Sequence, residues 1–327
     1  MEDLNPTAIR TLVQNLMGGP CHFILNTDIS PFRGGEYIVY ALEDEEAKSR
    51  RLCLRIPRNR AGCHIAPVIE HEAEVRRQIN AARIDLFRPL IAYDPPTENL
   101  IRAPYLALCW ADGSPLKWSD AYPATNDRRS IIRAVANASL DLLRVQRPGE
   151  TALEWITYKI DRKIARAKSN EPRGGTVTEC EDQKQLIPKY WMPELDNAPH
   201  VLVHGDIAGN NIIVGNTPLA VQSFIDSGWA EFVPLQFAAV YPRFLTHEPR
   251  EGAQGFSARN TQQMKQDRAF YLECVEIRAR REGGFELDYH RTLSRNDEPS
   301  RYWWFTAASR IDIHRAMALC SWAPAIG

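Results

Sequence analysis

The chain reads as an α+β protein of two lobes, a small antiparallel β-rich lobe followed by a larger, mostly helical one. Three observations predict this bilobal arrangement. Short runs of β-branched and aromatic residues, separated by turn residues, crowd the first third of the sequence. Beyond residue 111 the apolar spacing changes to the three-and-four period of helices. A single, strongly apolar hairpin then interrupts the helical part at residues 201–226. The boundary is placed so that residues 1–110 form the first lobe and 111–327 the second.

Length and composition agree with that reading. A chain of 327 residues, 44% hydrophobic and 25% charged, is long enough for two packed lobes. Forty basic residues stand against 41 acidic ones, a net charge of −1, so bulk charge predicts no nucleic-acid partner. No run approaches the roughly 18 apolar residues of a membrane span. The opening Met-Glu-Asp-Leu-Asn-Pro lacks the basic and apolar regions of a secretory signal, so a cytoplasmic protein with no membrane association is expected. Seven scattered cysteines, none in a Cys-x-x-Cys pair, fit reduced thiols. Cys63-His64 with His71-Glu72 is the one cluster suggestive of zinc, and its spacing matches no standard site.

In the first lobe, Asn5 and Pro6 predict a helix start, Ile9, Leu12, Val13, Leu16 and Met17 its buried stripe, and Gly18-Gly19-Pro20 its end. Strands follow at 21–25 and 37–42. Between them, Gly34-Gly35 form either an ordinary turn or a place where the backbone can approach a phosphate. In the strand at 51–56, Leu52, Leu54 and Ile56 face one way, Cys53 and Arg55 the other. A helix over 65–82 carries Ile65, Val68, Ile69, Val75, Ile79 and Ala82 inward, with Glu72 in the middle of that stripe. A carboxylate on a core-facing line needs a partner, and Arg55 is the natural candidate, as a structural pair or as part of a site. Strands at 90–93 and 103–110 complete the lobe.

The second lobe is predicted to hold helices at 126–146, 151–168, 260–282 and 300–319, with a polar loop over 170–185. Within it, residues 201–203 make a short strand ending in His204-Gly205-Asp206. Strands at 211–214 and 219–225 then fold back about a Gly-Asn-Thr-Pro turn, setting Asn211 near Gln222 and returning Asp226 toward the loop of Asp206. Two carboxylates and a carboxamide at one end of an apolar hairpin suit phosphoryl transfer from a nucleotide. Asn211 and Asp226 offer hard oxygen ligands for Mg2+, Asp206 a base for an acceptor hydroxyl, and His204 a brace for the loop. A metal-dependent phosphoester hydrolase is a weaker alternative, since such sites carry more acidic and histidine ligands.

The segments HGDIAGNN (204–211) and FIDSGWAEFVP (224–234) resemble the signature of the aminoglycoside phosphotransferase and choline kinase-like family. These are small-molecule kinases of protein-kinase-like fold, and the similarity is greatest to their fungal branch. LRIPR at 54–58, AYD at 92–94, PYLAL at 104–108 and VPLQFAAVYPRFL at 233–245 extend the resemblance over roughly residues 20–275. It implies ATP or GTP as co-substrate, Mg2+, and a small-molecule acceptor. It implies Asp206 as base, Asn211 and Asp226 as metal ligands, and Arg55 on the phosphates with Glu72 as its partner. Gly34 and Gly35 match the loop over the phosphates, and Leu108, Cys109 and Trp110 the segment beside the adenine. Arginine at 55, where many relatives have lysine, and Ile-Asp-Ser in place of Ile-Asp-Trp are departures. They keep open a second class, a catalytically silent kinase-like protein that binds a ligand or partner. His-Arg-Asp, Asp-Phe-Gly and Ala-Pro-Glu are absent, which argues against a protein kinase. The acceptor would lie between the hairpin and the C-terminal helices, lined by Gln262–Arg281 and Tyr302–Arg315, with Trp303 and Trp304 either core or substrate-stacking.

Overall fold

The computed structural model describes residues 4–59, 65–95, 98–169, 176–216, 219–246 and 261–295, with Trp303 and Ala307. The chain divides into two compact units. Met1–Ser114, Ile212–Asn216 and Val221–Ala230 make the first; Pro115–Asn211, Thr217–Ala220 and Glu231–Gly327 make the second.

The first unit begins with α1 (Pro6–Met17), where the Asn5 side chain accepts from the Thr7 amide and left-handed Gly18 ends the helix. Then come β1 (Cys21–Phe23), β2 (Phe32–Arg33), β3 (Tyr37–Asp44), β4 (Arg51–Pro57), α2 (Ile65–Ala81), β5 (Leu90–Asp94) and β6 (Tyr105–Cys109). The strands form one antiparallel sheet in the order β1-β3-β4-β6-β5, with β2 paired to β3. Strand parity sorts the side chains as the sequence predicts. Leu52, Leu54 and Ile56 join Ile38, Tyr40 and Leu42 of β3 and Ile9, Leu12 and Val13 of α1 in one core. The opposite face carries Tyr37 and Leu106 against Ile69 and Ala73 of α2. With both faces covered, the interior strand β4 is buried along nearly its whole length.

Two local expectations for this unit change. The strand expected at 21–25 stops at Phe23, because Leu25 and Asn26 take positive φ in a 3-10 turn. Val68 is 41% exposed although it lies on the apolar arc, since the first turn is the less buried end of α2.

β7 (Ser114–Pro115) straddles the division, and the second unit continues with α3 (Thr125–Leu142), β8 (Gln146–Arg147), α4 (Ala152–Lys168), α5 (Val177–Gln185), α6 (Ile187–Tyr190) and β9 (His200–Val203). The chain then contributes β10 (Ile212–Val214) and β11 (Val221–Phe224) to the first unit. It returns to the second with β12 (Glu231–Pro234), α7 (Leu235–Ala238), α8 (Gln262–Glu282) and α9 (Gly284–Ser294). β12, β9 and β8 form a small antiparallel sheet. Reciprocal capping boxes start α4 at Thr151–Glu154 and α5 at Thr176–Glu179. The second box explains why residues 177–185, expected as loop, are helical. Ile131, Ile132, Val135, Leu142 and Leu143 are all buried, and the helix holding most of them is anchored by an ion pair between Arg128 and Asp267. Trp303 is buried, with its indole N–H donating to the Gln183 carbonyl at 2.8 Å, which assigns it to the core. Trp304, Cys63-His64 and most of the helix expected at 300–319 lie outside the described residues.

The β10–β11 hairpin belongs to the first unit because it docks there. The Phe224 amide donates to the Leu86 carbonyl at 2.7 Å, and the Phe224 ring stacks on Phe87 at 5.2 Å. Its register corrects the one expected. Ile212 faces Phe224 and Ile213 faces Ser223, but Val214 faces Val221, so Gln222 is bulged out. Asn211 is not a strand residue opposite Gln222. It ends a single 3-10 turn, Gly209–Asn211, one residue before β10.

Candidate functional site

The site residues named from the sequence fall into two groups, one in each unit. In the first unit β4 supplies Arg55, α2 supplies Glu72, and the end of β11 leads to Asp226. The Arg55 guanidinium spans the other two: Nη1 donates to Glu72 Oε1 at 2.5 Å and Nη2 to Asp226 Oδ1 at 2.8 Å. A fourth member was not foreseen. Arg76, one helical turn beyond Glu72, donates from Nε and Nη2 to the same Oε1 at 3.0 and 2.9 Å. Glu72 is fully buried and both arginines nearly so, while the Asp226 side chain is 35% exposed. Tyr37 on β3 lies flat against Arg55, its ring centre 4.2 Å from the guanidinium carbon.

The electrostatics follow from this packing. Burial alone would raise the Glu72 carboxyl, but Arg55 and Arg76 outweigh it and hold the group below its ordinary value. Burial opposes the charge on Arg55, yet Glu72 and Asp226 raise its pKa further above an already high value. Burial, reinforced by Glu72, pushes the Tyr37 phenol well up, so it stays protonated. Two cations and two anions make the cluster neutral overall, as a desolvated group of charges must be to persist. Asp226 adopts a left-handed backbone (φ 62°, ψ 71°), which costs a non-glycine residue about 1–2 kcal/mol. Local strain of this kind is characteristic of sites where a side chain must point in one direction.

The residues matched to nucleotide binding also lie in the first unit. Leu108 is buried in β6 opposite Cys53, and Cys109 is partly buried opposite Leu52. The Trp110 amide donates to the Arg51 carbonyl at 3.0 Å, and its indole stacks on Phe32 at 5.7 Å. The Gly34 amide closes a turn onto the Tyr37 carbonyl at 2.9 Å. Neither Gly34 nor Gly35 takes a positive φ, so the turn does not need glycine for its dihedrals. Nor does packing require glycine at 35, since an added Cβ would meet nothing within 4 Å.

In the second unit β9 leads into His204, and Gly205 turns the chain at φ 75°, a conformation L-residues rarely adopt. Gly209 lets the loop pass the Leu116 carbonyl, which a Cβ would meet at 2.8 Å. Both oxygens of Asp206 are held: Oδ1 accepts from Arg243 Nη1 at 2.8 Å and Oδ2 from Asn211 Nδ2 at 2.9 Å. Asn211 Nδ2 also donates to the Asp206 carbonyl at 3.0 Å, which directs its own carboxamide oxygen away from Asp206. His204 is buried, and its Nδ1 accepts from the Asp206 amide at 3.3 Å, the geometry of a loop brace. A cavity of about 130 Å³ opens beside Asp206, lined among others by Leu142, Leu202, Phe237, Tyr241 and Tyr289. Asp206 and Arg243 are the carboxylate and guanidinium of that lining.

Arg243 and Arg76 are the neighbours of the candidate site residues that the sequence reading missed. Arg76 could have been found from its i, i+4 spacing to the inward-facing Glu72. Arg243 carries no local signal, lying 37 residues from Asp206.

The Asp226 carboxylate in the first unit and the Asn211 carboxamide oxygen in the second are each hard-oxygen donors of the kind Mg2+ takes. Among the described residues no three His, Cys, Asp or Glu side chains are grouped to hold a metal. No helix among those residues is long and apolar enough to cross a membrane.

The chain resembles known proteins in fold more than in sequence. It is similar to a protein of Ralstonia eutropha JMP134 assigned as an aminoglycoside phosphotransferase, with a TM-score of 0.58, 14% identity, and 93% of this chain and 98% of that one covered. APH(2'')-IIa, in a ternary complex with streptomycin and ATP, aligns with a TM-score of 0.57 at 10% identity over 99% and 98% of the two chains. Ethanolamine kinase of Plasmodium vivax aligns with a TM-score of 0.54 at 12% identity over 90% and 76%. These likenesses establish the shared α+β fold with its antiparallel sheet and helical part. No curated protein matches the sequence. The sequence pattern of the phosphotransferase enzyme family matches residues 28–230, a span that contains Arg55, Glu72, Asp206, Asn211 and Asp226. With more than half its length so matched, the chain belongs to the phosphotransferase enzyme family and is a phosphotransferase.

Proposed function

We propose that this phosphotransferase is a small-molecule kinase that moves the γ-phosphate of ATP or GTP to a hydroxyl of its acceptor. The observation that carries the reading is the Asp206 carboxylate, held on one oxygen by Arg243 and on the other by Asn211. A carboxylate fixed in this way keeps lone pairs to receive a proton, without freedom to turn away. In the proposed step Asp206 accepts the proton of the acceptor hydroxyl as its oxygen bonds to the γ-phosphorus. The bond from that phosphorus to the bridging oxygen breaks, and the nucleoside diphosphate leaves. His204 keeps the loop in register. Asp226 and Asn211 would hold Mg2+, which when bound supplies charge neutralisation and a template for the phosphates. Arg55 grips the phosphates, and Glu72 fixes Arg55. The first lobe, residues 1–110, would take the nucleotide through Gly34, Gly35 and the Leu108-Cys109-Trp110 segment, and residues 111–327 the acceptor.

The chemistry of the acceptor is bounded by the walls beside Asp206. Among the described residues they are largely apolar and aromatic, with no second carboxylate in the lining. That composition gives little reason to favour a polycation such as an aminoglycoside over neutral hydroxyl compounds. The test is nucleotide consumption with magnesium against amino sugars, aminoglycosides, choline-like amines and sugar alcohols. Turnover on one class, abolished in both Asp206→Ala and Asp226→Ala, supports the reading. Magnesium-dependent turnover that survives both substitutions overturns it.

A further inference from the structure

The first-unit cluster contains a conflict that the proposed roles leave open. Asp226 is assigned to a cation, yet its Oδ1 already accepts from Arg55 at 2.8 Å. A metal ion and a guanidinium cannot both hold that oxygen in the same way, because each brings positive charge to it. Arg55 also cannot be parked elsewhere in the cluster as a point charge could. Its planar fork uses one terminal nitrogen on Glu72 and the other on Asp226.

Arg76 makes an exchange possible. It donates twice to Glu72 Oε1, so the Glu72 charge stays compensated even when Arg55 shifts its attention. With Asp226 released, the remaining trio of Arg55, Glu72 and Arg76 carries one net positive charge, the sign that phosphate oxygens need. With Asp226 engaged, the quartet is neutral and offers an incoming cation a carboxylate that is already paired. The left-handed backbone at Asp226 sets the direction of its Cα–Cβ bond, and the exchange is between partners of one carboxylate.

We propose that Arg55 is the resident counter-ion of Asp226, so that a divalent cation gains Asp226 only when nucleotide phosphates draw Arg55 away. Arg76 is the positioning residue that keeps Glu72 compensated through the exchange. The inference rests on the kinase reading above, since it takes Asp226 as a metal ligand. It goes beyond that reading by making metal and nucleotide binding interdependent through an arginine.

The test is Mn2+ binding to the full chain, read from the electron paramagnetic resonance signal of the free ion, with and without a non-hydrolysable ATP analogue. Wild type is compared with Arg55→Met and Arg55→Lys, with folding checked by thermal melts. Arg55→Met leaves Glu72 with Arg76, and Arg55→Lys serves if the first variant does not fold. Mn2+ alone should bind about three- to tenfold more tightly in Arg55→Met than in wild type, as expected for removing one partly exposed ion pair. Arg55→Lys should fall between them, and adding Asp226→Asn to Arg55→Met should erase the gain. Equal affinity for Mn2+ alone in wild type and both variants, with tight binding once the analogue is present, overturns the counter-ion role and leaves the kinase reading standing. No Mn2+ binding by any form, with or without the analogue, overturns both.

Discussion

The two groups of site residues are built from different materials. In the first unit four charges are packed against one another, three of them buried, and ion pairs link them. In the second unit one carboxylate sits in a loop, held by one guanidinium and one neutral amide, with a histidine beneath it. The first arrangement holds charge in place at low dielectric, where each interaction is strong and each loss costly. The second holds a single carboxylate in position beside a cavity. A nucleotide's phosphates need the former and a hydroxyl proton the latter. The contrast therefore teaches that substitutions in the first unit should act on binding and stability, and those in the second on turnover.

Breaking that contrast begins with the largest effect. Asp206→Ala should lower kcat by about 10²–10⁴, the usual range for loss of a positioned general base, with little change in melting temperature. Steady-state kinetics beside a thermal melt checks both halves of the statement. Glu72→Ala should do the reverse first: it strands Arg76 and leaves Arg55 with Asp226 alone, and urea denaturation should show a loss of about 3–5 kcal/mol.

Smaller changes sharpen the comparison. Arg243→Met frees one oxygen of Asp206 and should lower kcat about tenfold through poorer positioning. Because the Arg243 side chain is 39% exposed, its loss should cost less than about 1 kcal/mol of stability in the same denaturation experiment. The smallest effect is in the pH dependence of folding. The Glu72 carboxyl is held below its ordinary 4.5, so its contribution to stability is complete above that value. It is lost as pH falls through the lower folded value. Wild type should therefore lose urea stability more steeply below pH 4.5 than Glu72→Gln does.

Much of this was legible in the sequence because two periodicities fix directions. Strand parity put Arg55 on the face opposite Leu54 and Ile56, and helix phase put Glu72 on the inward line of α2, so their pairing needed no motif. The turn chemistry at Asn5 and Gly18 likewise marked helix ends. What was hidden depends on tertiary choices. A basic residue on a helix reads as solvated, so Arg76 passed unnoticed until Glu72 was seen to need more than one partner. Arg243 reaches Asp206 only through the fold of the chain between them. The bulge at Gln222 shifted a register that the hairpin turn alone could not set, because it arises as β11 docks on the segment around Leu86 and Phe87. Helix α9, with two glycines at its start and mixed polarity along its length, is stabilised by packing on α8 and α7 more than by a sequence pattern.

The division of labour between the two groups is tested most directly by measuring magnesium–ATP stabilisation and turnover together in Asp206→Ala and Asp226→Ala. A ligand at about 100 times its Kd adds about 2.7 kcal/mol to the folded state, enough to read as a clear rise in melting temperature. The account predicts that Asp206→Ala keeps this rise and loses turnover, whereas Asp226→Ala loses both. An Asp206→Ala enzyme that turns over at the wild-type rate, or an Asp226→Ala protein stabilised as fully as wild type, would contradict it.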